Sequence, residues 1–405
     1  MSEQITKKAL ILPGGGARGA YQVGVLKAIA GLLPKNAPNP FAVISGTSAG
    51  AVNAAVIASR ARRFQSAVAE MEQVWGNFEA GQVYRTDSWT MLRSSLHWFA
   101  AVTLGGLGVR NPRSLLDNAP LRELLDSRIE FSSIATAIEN GHLDALAITA
   151  SGYSSARSVT FFQGCATLKS WSRVRRSGLP AQINLDHLMA SIAVPLVFPP
   201  VKIGTEYFGD GAVRQHAPLS SAIHLGANRL LVIGVRDEHP DPEPAAGESV
   251  TYPSMGEIAG YMLDTLFMDG LYSDLERLTR LNLILEQLEE PTLVGPSANL
   301  QPLTTLIVAP SEDLRDVAQR HVGELPRALR VLLGGVGAMS RGGARLVSYL
   351  LFESGFTREL IDMGYRDAMS REEHLRAFLF DQPMDTLDAR IDIKRRLLSG
   401  EEQST

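Results

Sequence analysis

The chain is poor in cysteine, in net charge and in long apolar runs. Cys165 is its single cysteine, so no intrachain disulfide forms and the fold does not depend on an oxidising compartment. Net charge is only −4, with 39 Lys and Arg against 43 Asp and Glu. A general nucleic-acid binder needs a basic face, so no nucleic-acid partner is expected. No apolar run approaches the roughly 20 residues that span a bilayer. The longest, over 96–109, is interrupted by glycines and a histidine. The N-terminal run Ala9–Leu12 stops at Pro13, too short for the apolar core of a signal peptide. A soluble, cytoplasmic protein is expected. Eight histidines show no metal-ligand spacing, neither HxxxH nor HExxH, and neither metal nor cofactor is expected.

What is present is a globular composition, 45% apolar and 20% charged, able to bury a large core. The length of 405 residues fits two or three domains, or one large α/β domain with extensions. Short apolar runs alternate with helical spacing. "KALIL" and "FAVISG" read as strands, each followed by a helical pattern, and "RLLVIGV" as a further buried strand. "LDALAITASGYSSARSVTFFQG" reads as a strand pair around a Gly/Ser turn. This alternation predicts an α/β fold with a mainly parallel sheet covered on both faces. Proline and acidic residues crowd 237–249, which marks an exposed linker or loop between a first region, 1–236, and a helical region, 250–405. Within the latter, 258–288 has one long helical pattern, and "TTLIVAP", 304–310, reads as a strand rejoining the sheet. The polar end "SGEEQST" is expected to fray.

Three short segments carry candidate chemistry. "GTSAG", 46–50, fits G-x-S-x-G between an apolar strand and a small-residue helix. The pattern sets Ser48 on a sharp strand-to-helix turn, where Gly46 and Gly50 avoid clashes and the helix N-terminus favours negative charge. An ordinary βα turn has the same local form. "GGGARG", 14–19, is a glycine run between strand and helix, which is an anion cradle by geometry. It reads as a phosphate loop, an oxyanion hole or a tight turn. The P-loop lysine is missing, and so is the acidic residue of a dinucleotide fingerprint. "GDGAV", 209–213, puts Asp210 in a turn, where Asp-Gly is common for local reasons.

Together, the glycine loop, GTSAG, and the DGA after "SIAVPLVFPPVKIGTEYFG" resemble the patatin-like phospholipase family over roughly residues 7–235. The resemblance implies a three-layer α/β/α fold with a C-terminal helical extension, and a lipid acyl hydrolase acting through an acyl-serine. It implies Ser48 as nucleophile, Asp210 as its base, and the amides of Gly14, Gly15 and Gly16 as oxyanion hole, with Arg18 fixing that loop. A lipid substrate and a membrane surface, met peripherally, are the implied partners. A lipid-binding module that has lost catalysis is the alternative. A Ser–His–Asp triad through His216 is disfavoured: six residues leave little chain to bring an imidazole between Asp210 and Ser48.

Three further stretches have an ordinary reading beside a functional one. Trp89, Trp98 and Phe99 lie in an apolar stretch, 88–109, that reads as a cap over an acyl groove or as core. Lys169, Arg173, Arg175 and Arg176 form the one compact basic cluster, a solvated face or an anionic-headgroup contact. The helical spacing over 344–369 is expected to pack on the first region, or between subunits of a homo-oligomer.

Overall fold

The computed structural model describes residues 6–86, 114–237, 252–287, 301–340 and 342–388. The tryptophan-bearing stretch 88–109, nearly all of the proline-rich linker and the polar tail lie outside the described residues.

Among the described residues, eleven strands form one sheet. They are β1 (Lys8–Leu12), β2 (Val43–Thr47), β3 (Ala145–Gly152), β4 (Ser158–Gly164), β5 (Trp171–Ser172), β6 (Arg176–Pro180), β7 (Val201–Ile203), β8 (Glu206–Asp210), β9 (Arg229–Ile233), β10 (Thr304–Val308) and β11 (Leu387–Asp388). Their order is β11-β10-β9-β1-β2-β3-β4-β6-β5, and the hairpin β7–β8 joins through β8 to β3. From β11 to β3 every pairing is parallel, and the antiparallel pairings gather beyond β3. Parallel strands are covered on both faces, which explains why β1, β2 and β9 read as unbroken apolar runs and are almost wholly buried.

Helices on both faces complete a three-layer α/β/α fold. The first three are α1 (Ala20–Leu32), α2 (Ala49–Ser59) and α3 (Phe64–Gly76). A C-terminal helical extension then folds back on them. Its helix Ser354–Met369 packs against α1 with almost no gap: a Cβ at Gly24 would strike the Ile361 carbonyl, and one at Gly364 the Tyr21 carbonyl. Two facing glycines let these backbones approach as larger residues would not.

The helical pattern of 258–288 resolves into two helices, Met255–Asp264 and Gly270–Glu286, joined by a π-helical turn at Thr265–Asp269. No described helix is long and apolar enough to cross a membrane.

Candidate active site

Strand register brings the three sequence segments together. β1, β2 and β3 lie side by side and parallel, with Leu12 level with Gly46 and Thr47 level with Thr149. Their C-terminal ends therefore open at one edge of the sheet. There β1 runs out into Pro13–Gly16, and β2 into Ser48. β8 returns antiparallel along β3, and its last residue, Asp210, faces Ala150, one position past Thr149. A crevice beyond the carboxyl ends of parallel strands is where α/β sheets place their ligands.

Ser48 occupies the turn between β2 and α2 with φ 53° and ψ −126°. A non-glycine residue held at positive φ is strained, and the surrounding structure has to hold it there. The flanking glycines supply part of that grip, because side chains are excluded at both. A Cβ at Gly46 would strike the Gly50 carbonyl, and one at Gly50 the Leu12 carbonyl. Ser191 supplies another part. Its hydroxyl accepts from the Ser48 amide at 2.9 Å and donates to the Thr149 carbonyl at 2.7 Å. Below the turn, Thr47 Oγ1 donates to Gln215 Oε1 at 2.6 Å, and Gln215 Nε2 donates to Thr149 Oγ1 at 3.3 Å.

Asp210 is 1% exposed. Its Oδ1 accepts from the Ala212 amide at 2.9 Å. Burial pushes the carboxyl up to about 7, opposed by hydrogen-bonding interaction with the Ser48 side chain and the Ala212 amide. The Ser48 approach is looser than a formed hydrogen bond, since Oδ2 is buried without a hydrogen-bond partner. A buried carboxylate oxygen without a partner is costly, and each such atom calls for an explanation. His216, in contrast, is exposed.

The glycine loop lies directly against Ser48. A Cβ on Gly14 would stand 2.9 Å from Ser48 Cβ, and 2.5 Å from Phe267 in the π-helical turn. One on Gly15 would meet Val235 at 2.8 Å. Gly16 has φ 54° and faces the Tyr349 carbonyl. Among the described residues, the amides of Gly14 and Gly15 donate to no backbone carbonyl. Arg18 turns away from this opening. Its guanidinium is buried, bonded to Ser348 Oγ at 2.7 and 2.9 Å, to Asp264 Oδ1 at 3.1 Å and to Tyr349 Oη at 3.1 Å. It also lies over the Tyr349 ring, 4.0 Å from the centroid. Arg18 thus pins the glycine loop to the C-terminal helices.

An apolar cavity of about 110 Å³ opens beside Ser48. Val52, Met71, Trp75, Leu125, Val197 and Phe352 are among its walls, so α2, α3, the helix Ala119–Arg128 and the C-terminal region all contribute. Such a lining suits an alkyl chain and offers little to a polar substrate. The basic cluster is elsewhere, on the hairpin β5–β6. Arg173 and Arg175 are exposed there, while Trp171 is packed between Phe162 and His224.

The fold and the strand–serine–helix turn define an α/β protein with its candidate site beyond the carboxyl ends of parallel strands. The family model for patatin-like phospholipase matches residues 10–223, more than half of the chain, and the protein belongs to that family. Membership implies a lipid acyl hydrolase. Among solved structures, VipD from Legionella pneumophila is similar at 13% identity, with a TM-score of 0.30, over 88% of this chain and 67% of its own. No curated protein matches the chain.

Ser191, Asp264, Ser348 and Tyr349 are absent from the site as read in the sequence. Asp264, Ser348 and Tyr349 lie outside the matched family region, and Ser191 opens the proline-rich stretch quoted ahead of Asp210, where the sequence marks it with no role of its own.

Proposed function

We propose that the protein is a serine lipid acyl hydrolase that uses Ser48 and Asp210 as a dyad. The observation that carries this reading is the buried, unpartnered Oδ2 of Asp210 beside the strained Ser48. A carboxylate placed this way is a base waiting for a proton. Its elevated pKa makes it a stronger base than an ordinary aspartate.

Ser48 Oγ attacks the ester carbonyl carbon as its proton passes to Asp210 Oδ2. The carbonyl oxygen takes up negative charge against the amides of Gly14, Gly15 and Gly16, at the N-terminal end of α2. The tetrahedral intermediate collapses, the C–O bond to the alcohol breaks, and the alcohol leaves with the proton from Asp210. Water then attacks the acyl-serine, giving its proton to Asp210. The fatty acid departs and the proton returns to Ser48. The apolar cavity supports an acyl chain as the bound part of the substrate, with glycerophospholipids, lysophospholipids and neutral glycerides as the candidate classes.

The test is incubation with a total lipid extract, read by mass spectrometry, with Ser48→Ala as blank. Release of free fatty acid by the native protein alone supports the reading. No release, with intact lipid still retained, favours the lipid-binding alternative.

A further inference from the structure

The helix Met255–Asp264 has two unlike sides. Its inward residues Gly256, Gly260, Leu263 and Asp264 are buried. Leu263 lines the cavity at Ser48, and Asp264 holds Arg18. Its outward residues are large and apolar. Met255, Tyr261 and Met262 are 70%, 61% and 58% exposed, and Tyr252, just ahead of the helix, is 93% exposed. Met255, Ile258 and Met262 follow helical spacing and share one face.

Among the described residues of this helix, none offers a free charge on this face. Both carboxylates of the helix are engaged elsewhere. Glu257 accepts from the Ser254 amide at 2.9 Å and the Ser340 hydroxyl at 3.0 Å, and Asp264 accepts from Tyr349 Oη at 2.6 Å. Contiguous exposed apolar residues on a soluble protein mark an interaction surface. Another exposed apolar residue does flank the cavity. Val194 and Val197 line it, and between them Leu196 is 69% exposed with φ 69°. Leucine is strained in that conformation, and the turn is clamped by the Leu115 and Leu116 amides, which donate to the Leu196 and Val197 carbonyls at 2.8 and 2.9 Å.

We propose that the outer face of Tyr252–Met262, together with Leu196, seats the protein on a phospholipid bilayer. The inference rests on the acyl-hydrolase reading, because the partner is the aggregate in which the substrate resides. Three features favour a bilayer over a protein groove. The surface lies close to the acyl cavity, since Leu196 stands between two of its wall residues and the opposite, buried side of the helix supplies Leu263 to the same wall. Its described residues form a helical surface with no free charge, which can lie flat in an interface. It also carries two tyrosines, whose phenols suit headgroup depth while their rings enter the acyl region.

The test compares the native protein with Met255→Ser/Tyr261→Ser/Met262→Ser and with Leu196→Ser. Binding is read by flotation with phosphatidylcholine–phosphatidylglycerol vesicles. Turnover is read on those vesicles and on a dissolved short-chain nitrophenyl ester. The expected result for the triple variant is about tenfold or more weaker vesicle binding and vesicle turnover, with soluble-ester turnover within about twofold and an unchanged Tm. Leu196→Ser is expected to shift binding in the same direction by less. Vesicle binding equal to native in both variants overturns the proposal, as does a native dimer by sedimentation that the triple variant turns into a monomer. Failure of the native protein to hydrolyse either substrate strikes the hydrolase reading instead, and flotation then still decides the bilayer contact.

Discussion

Arg18 and Asp264 stand 246 residues apart and meet as a buried ion pair, Nη1 to Oδ1 at 3.1 Å. Arg18 belongs to the glycine loop, while Asp264 lies beyond the matched family region, which ends at 223. The shape of the loop beside Ser48 is therefore completed by a later part of the chain. Removing one partner of a buried pair leaves an uncompensated charge, at about 3–5 kcal/mol. Asp264→Ala is expected to lower the Tm and to reduce kcat on a soluble ester by about a hundredfold. Asp264→Asn, which keeps an acceptor for Tyr349, is expected to lose less of both. Thermal unfolding and initial rates check this.

In the proposed dyad the Asp210 carboxyl, raised to about 7 by burial, has to be ionised to accept the Ser48 proton. Below that value most of the protein carries a protonated, inactive base. kcat/KM on a soluble ester is expected to rise about tenfold per pH unit up to about pH 7, then level off. A rate profile between about pH 5 and pH 9 measures it.

The same burial costs stability. In the unfolded chain the carboxyl returns toward its ordinary value of 3.8, while the folded state holds it near 7. Between these values the unfolded state releases a proton that the folded state keeps. Stability from this group is fully present below about pH 4, falls as pH rises to about 7, and is flat above. Asp210→Asn removes the effect. This variant is expected to be inactive yet to melt at a higher temperature than native at about pH 8, the difference closing near pH 4. Parallel melting curves at the two pH values decide the matter.

Val52 lines the cavity one turn into α2 from Ser48. Val52→Trp fills part of the space available to a chain. kcat/KM is expected to fall at least about tenfold more for a long-chain ester than for a butyrate ester, because each methylene excluded from the cavity forfeits about 0.8 kcal/mol. A chain-length series of nitrophenyl esters measures the shift.

Different parts of this molecule were legible for different reasons. The parallel sheet shows in the sequence because strands buried on both faces are written as short unbroken apolar runs, with helical spacing between them. Ser48, the glycine loop and Asp210 stand in turns where close backbone approach demands glycine, so their signals lie in contiguous residues. Ser191, Asp264 and Tyr349 carry no such signal. Each reaches the site through tertiary packing: Ser191 opens a stretch that points to Asp210 but not to its own bond with the Ser48 amide, and nothing beside Asp264 or Tyr349 on the chain reports their contacts. The π-helical turn at Thr265–Asp269 also escapes the periodicity of 258–288, because the apolar spacing continues across it. Its position accompanies the placement of Phe267 against Gly14 and Tyr349.

The most direct measurement is covalent labelling with a fluorophosphonate, followed by peptide mapping. One modified residue is expected, Ser48, with labelling absent from Ser48→Ala and slowed at least about a hundredfold in Asp210→Asn. A folded native protein that takes up no label, or one labelled at another serine, would contradict it.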